Sequence, residues 1–267
     1  MKNYTIALLS SLLATVGCSK VIEIDYEVID PMYVIEATLS ADGGTLLLTK
    51  TSAMDEPAQS DPITSATVSV ESSRGETIDF QIDDEGYYRT TDQLSLTAGD
   101  DYTLTVEVDE KIFTSTSRLY AEPQIEDISF SMQAFTADMD LIFCTFKIQD
   151  PEGEANYFRY RFRYFANDNE ESGEPSWSLA KETSDGTPIE LMTHLYTMDR
   201  DLEDGDVITI EVQAIDKATY DYLYTLSLSG SSSSNPTSNF EGGCLGYFSA
   251  YSQSIEIATF SYDLVVD

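Results

Sequence analysis

One histidine, three cysteines and one tryptophan are the scarcest side chains in this 267-residue chain that could react, ligate or stack. His194 has no partner at motif spacing, and a single histidine removes multi-histidine metal centres and most imidazole acid–base chemistry. No Gly-x-Ser-x-Gly elbow occurs, and two cysteines without companion histidines make a poor zinc site. Carboxylates are the abundant chemistry: 48 Asp and Glu stand against 14 Lys and Arg, a formal charge of −34. A field of that sign repels phosphate and excludes nucleic acid as a partner. A hydrolytic pair of carboxylates is compatible with this composition, but no spacing singles one out. Asp199 to Asp206 looks at first like a calcium loop. Its glycine, Gly205, falls at position seven, and Ile210 stands where the bidentate Glu belongs, so a turn is expected. Asp83-Asp84-Glu85-Gly86 and Asp150-Pro151-Glu152-Gly153 read as acidic turns too. The expectation is a protein that is not an enzyme and carries neither cofactor nor metal.

Arginine and aromatic residues offer binding chemistry instead. Arg159, Arg161 and Arg163 alternate with Tyr160, Phe162 and Tyr164, so on a strand the arginines line one face. A solvated face flanked by the protein's own acids is favoured over an anion-binding stripe. Trp177, within the polar stretch Asn167–Pro188, is either a stacking platform for a ligand or a loop anchor folded back on the core. Tyr222, Tyr247 and Phe248 complete the ligand-binding candidates.

The elements that must position these residues follow an N-terminal address. Lys2 precedes an apolar run from Ile6 to Val16, too short to span a bilayer but right for a secretory signal, and Gly17-Cys18-Ser19 follows at once. This resembles a bacterial lipoprotein cleavage site, which predicts residues 1–17 as signal peptide and Cys18 as the lipidated N-terminus. Thr15 departs from the Leu usual in that motif. Loss of Lys2 with the signal would take the net charge from −34 to −35. Several acyl chains then hold the protein to a membrane that it does not cross. Residues 18–31 form a tether. Cys144 and Cys244 either close a loop of about 100 residues, worth about 4–5 kcal/mol, or sit as buried thiols. Their apolar neighbours favour the thiols.

The body reads as strands. Seven period-two segments lie between Met32 and Thr116, separated by turn residues such as Asp42-Gly43-Gly44 and Asp83-Asp84-Glu85-Gly86. Ala121-Glu122-Pro123 predicts a domain boundary, giving an N-terminal β-sandwich over 32–122 and a second over 123–267, both Ig-like or fibronectin-like. The second half carries strands at 125–130, 140–148, 157–165, 207–216 and 254–262. It also holds one helix, Lys217 to Leu228, whose Tyr220, Leu223, Tyr224 and Ser227 share a stripe. That stripe predicts Leu223 and Tyr224 in the core. Tyr222, Tyr247 and Phe248 are left for an exposed aromatic patch that docks a partner.

Several segments resemble one family together: the lipoprotein signal with Cys18, the tether reaching Ile22-Glu23-Ile24-Asp25, Tyr33 to Ala37 and Ala66 to Val70. Late in the chain they are joined by Tyr220-Asp221-Tyr222-Leu223, Asn235-Pro236-Thr237-Ser238-Asn239 and Gly242 to Ala250. They are similar to the Bacteroidota outer-membrane lipoproteins grouped as a domain of unknown function, DUF4249. The resemblance implies a lipid-anchored accessory protein of the outer membrane beside a TonB-dependent receptor, and brings no catalytic residues. An Ig-like adhesin or structural surface protein is the alternative.

Overall fold

Alternation along the strands decides which side chains meet. Strand β1 (Tyr33–Ser40) buries Tyr33, Ile35, Ala37 and Leu39 and turns Glu36 out, and β2 (Gly43–Lys50) returns after a tight turn. Gly43, at φ 126°, takes a backbone conformation that side chains with a Cβ rarely adopt. This computed structural model describes residues 30–52, 61–90, 93–136, 139–165, 171–172, 176–195, 202–229 and 235–266. The apolar leader and Cys18 lie outside the described residues.

All seven segments expected before residue 120 are strands. After β1 and β2 come β3 (Thr67–Ser72), β4 (Thr77–Asp79), β5 (Gln81–Ile82), β6 (Tyr88–Arg89), β7 (Asp101–Val108) and β8 (Lys111–Arg118). The expected strand 77–82 is split. Phe80 goes into the core, β4 pairs with β3, and β5 crosses to β6 in the facing sheet. One sheet runs β4-β3-β7-β8, and the other contains β1, β2, β6 and β5.

The second half supplies β9 (Ile125–Thr136), β10 (Met139–Ile148), β11 (Tyr157–Phe165), β12 (Glu171–Ser172), β13 (Ser178–Lys181), β14 (Ile189–His194) and β15 (Val207–Ile215). Helix α1 (Lys217–Ser229), β16 (Leu245–Ala250), β17 (Ser252–Thr259) and β18 (Val265–Val266) follow. Sheets β14-β10-β9-β18 and β12-β11-β15-β17, with β13 on β11, enclose a second core around Phe130, Phe146, Phe158, Phe162, Ile208, Ile210 and Phe260. The protein is mainly β, a sandwich architecture of four sheets around two hydrophobic cores among the described residues.

The predicted division at Pro123 needs correction. Residues 244–250 do not belong to the second core. β16 lies parallel to β1, Val34 opposite Leu245 through Leu39 opposite Ala250, and buries Cys244, Phe248 and Ala250 in the first core. Turn chemistry reveals hairpins between sequence neighbours; a parallel partner some 200 residues away leaves no such local sign. Pro123 itself is buried.

Helix α1 forms where expected but is rotated. Its buried residues are Thr219 and Tyr222, while Tyr224, Leu226 and Leu228 are exposed. Polar anchoring sets this rotation. The Thr219 amide donates to Asp216 Oδ1 at 2.8 Å, capping the first turn. The Thr219 hydroxyl reaches Asp216 Oδ2 and the Phe248 carbonyl. Ser117 donates to Asp216 and accepts the Ala250 amide at 2.8 Å, so the helix start is tied to β8 and β16.

Candidate functional site

Strand β15 is buried on both faces. Ile208, Ile210, Val212 and Ala214 point into the second core, and Thr209, Glu211 and Gln213 face the other way yet are also buried. An uncompensated buried carboxylate is costly, and the register of β11 shows the compensation: Arg161 lies opposite Glu211, Arg159 opposite Gln213 and Arg163 opposite Thr209. Arg161 Nε and Nη2 each approach Glu211 Oε2 at 2.7 Å. Arg159 Nε donates to Gln213 Oε1. The Gln213 amide donates to Glu211 Oε1 at 3.0 Å and to Gln253 Oε1 at 3.2 Å, and Gln253 donates in turn to Asp42 Oδ2 at 2.8 Å. One relay of hydrogen bonds therefore crosses β11, β15 and β17 and ends on the β1–β2 turn.

Aromatic rings pack against this relay. Trp177, just before β13, places its ring 4.6 Å from the Arg159 guanidinium and 4.5 Å from that of Arg161, and remains 37% exposed. Arg159 also lies 5.4 Å from the Tyr251 ring. Burial pushes the Tyr247 hydroxyl above its ordinary range, against the pull of Arg159, which donates to it. Arg159, Arg161 and Arg163 line this face of β11, and Glu211 is the acid opposite them on β15. Arg163 Nε is buried without a hydrogen-bond partner among the described residues. Such a face can stack and hydrogen-bond a planar or anionic group.

The model of the family described as "Domain of unknown function (DUF4249)" matches residues 20–256. The chain belongs to the DUF4249 family. The matched span includes Arg159, Arg161, Trp177, Glu211, Gln213 and Gln253. No curated protein matches the chain. Among solved structures, a two fibronectin type-III domain segment from chicken tenascin is 14% identical, covering 86% of this chain and all of that one, with a TM-score of 0.23.

In this DUF4249 chain the ligand-binding candidates separate. Trp177 stays at the surface, held against the arginines. Tyr222 and Phe248 are core residues, 4% and 0% exposed, so the exposed patch expected from them does not exist. Tyr247 is half-buried and stacks on Tyr222 with ring centroids 4.9 Å apart. Burial pushes the Tyr222 hydroxyl up to about 12. The docking expectation fails because it counted aromatics against one face of a small domain, whereas β16 carries Phe248 into the first core. Glu211, Gln213 and Gln253 escape sequence reasoning. Alternating polar residues inside the strong strand Val207–Ile215 are the one available signal, and they also suit a solvated face.

Elsewhere the possible reactive groups have structural surroundings. Cys144 and Cys244 are free and buried in different cores, with burial pushing both thiols up to about 12. His194 faces Phe143 across the β10–β14 pair, ring centroids 5.5 Å apart. Asp150, Glu182 and Asp185, which sequence spacing does not connect, bring carboxylate oxygens within 4.8 Å of one another. Both Asp150 oxygens already accept hydrogen bonds, from the Asn156 side chain at 2.9 Å and the Gly186 amide at 2.8 Å.

Proposed function

We propose that this chain is a lipid-anchored, non-catalytic binding protein of the outer membrane that works beside a TonB-dependent uptake system. The binding part rests on one observation: Trp177, exposed and braced on Arg159 and Arg161, above a buried relay that fixes both guanidiniums. Side chains held this firmly lose little freedom on meeting a ligand, which favours recognition. A role in binding without covalent chemistry is supported by thiols kept protonated in the cores and by the packing of His194 on Phe143. Cys18 supplies the anchor in this reading, and the uptake partner follows from the family resemblance.

The test is affinity purification of the full-length protein from solubilised outer membranes of its host. Wild type should carry an acyl mass on Cys18 and bring down a TonB-dependent receptor. Cys18→Ala should appear in the soluble fraction, and Trp177→Ala should reduce receptor capture several-fold. An unmodified Cys18 defeats the anchor. Adhesion to surfaces without receptor capture makes the protein the adhesin instead, and capture unaffected by Trp177→Ala removes the arginine face from the function.

A further inference from the structure

Where the chain passes from the first sandwich to the second and later returns, a cleft of about 310 Å3 opens. Its walls come from the β1–β2 turn (Asp42), the loop before β7 (Leu96), the link after β8 (Tyr120 and Glu122) and the start of β17 (Tyr251 and Gln253). These walls are fixed. The Leu94 amide donates to the Ala41 carbonyl at 2.8 Å, Tyr251 to Leu39 at 2.9 Å, Gly99 to Leu119 at 2.7 Å, and the Ser252 hydroxyl to Ala121 at 2.8 Å. The Gln253 amide holds Asp42 from one side.

The lining has a distinct chemical bias. Its charged groups are the carboxylates of Asp42 and Glu122, and among the described residues no Lys, Arg or His lines it. Two phenol rings and apolar side chains make up much of the remaining wall. The two carboxylates attract a positive charge, the Tyr120 ring offers it an aromatic face beside the Tyr251 ring that already meets Arg159, and the apolar wall takes a hydrocarbon body. A net charge of −34 raises the local concentration of any cation and repels anions. The volume suits a single ring with a short chain, at the lower end of ligand-pocket sizes.

We propose that this cleft is a binding site for a small organic cation, an ammonium group carried on an aromatic or short aliphatic body. Trp177 is not among its walls, and the site needs neither the anchor nor the receptor.

The experiment is titration of the full-length protein in detergent with phenethylamine as its ammonium ion, followed by calorimetry at about 150 mM salt. 3-Phenylpropionate, of similar shape and opposite charge, is the parallel probe. The cation should bind at least about tenfold more tightly than the anion. Asp42→Asn with Glu122→Gln should weaken the cation about tenfold while leaving the melting temperature unchanged, because the amide oxygen introduced by Asp42→Asn can still accept from Gln253. Glu107→Gln with Glu110→Gln, exposed and outside the cleft, should leave binding as in wild type. Equal binding of cation and anion, or no measurable binding of the cation, overturns the proposal. So does a cleft variant that binds like wild type, or a remote pair that weakens binding as much as the cleft pair, since the general field would then be responsible.

Discussion

Strands β7 and β15 both lie inside their sheets, yet they treat their outer faces in opposite ways. β7 buries Tyr102, Leu104, Val106 and Val108 and turns Asp101, Thr103, Thr105 and Glu107 outward, with the two acids exposed. β15 buries every residue after Val207, including Thr209, Glu211 and Gln213 on its outer face. The first arrangement needs only hydrophobic contrast. The second demands specific partners for its buried carboxylate and amide, which Arg161 gives Glu211 and Arg159 and Gln253 give Gln213. A strand that covers polar side chains on its outer face marks where a β-sandwich has been given chemistry beyond its core.

The difference can be broken or sharpened experimentally, and the largest effect lies at the closure of the first sandwich. A Cβ on Gly246, at φ 111°, would stand 1.8 Å from the Ile35 carbonyl oxygen. Gly246→Ala should cost about 4 kcal/mol or more in urea unfolding, or abolish folding. Near-wild-type stability would mean that β16 does not close that core. Next comes the polar face. Arg161→Ala leaves Glu211 buried without its cation and should cost about 2–4 kcal/mol, whereas Thr105→Ala on the outer face of β7 should cost about 0.5 kcal/mol or less. Equal losses would erase the contrast between the two strands.

A smaller effect depends on pH. Burial holds the Asp216 carboxyl above its ordinary 3.8, outweighing its hydrogen bonds from Ser117 and Thr219. The native protein therefore binds this proton more tightly than the unfolded chain. The group's contribution to stability falls as pH rises from 3.8 through the raised native value, and stays low above it. Asp216→Asn removes that dependence. Its stability relative to wild type should increase with pH across the window and then level off, measured by chemical denaturation at several pH values. A constant difference would show that Asp216 is not desolvated. Trp177→Ala should cost only about 1 kcal/mol, because the ring is partly exposed and its contacts with Arg159 and Arg161 are partly solvated.

Much of the fold was legible because strands write themselves locally. Asp42-Gly43-Gly44 announces its turn, and the alternation in Tyr102–Val108 assigns each face. Helix α1 was legible in extent but not in rotation, since Thr219 sets its angle through bonds to Asp216 and to the carbonyl of Phe248, far along the chain. Strands β13 and β14 were missed within or just beyond a polar stretch; four residues such as Ser178–Lys181 are too few to show a period. The candidate face was half legible. The arginine row and Trp177 stood out by type, while their meeting with Glu211 and Gln213 depends on antiparallel registers that bring together residues about 50 apart.

Strand β16 has a consequence in time. The first core opens with Tyr33 and is not sealed until Ala250 has paired beside Leu39. A growing chain holds Ile35, Leu46, Leu48 and Leu104 well before their last neighbours, Cys244 and Phe248, exist. Contacts this distant in sequence make folding slow, since the intervening chain must be closed before it is rewarded. A nascent chain ending short of residue 245 has an unfinished first half whatever its second half has achieved.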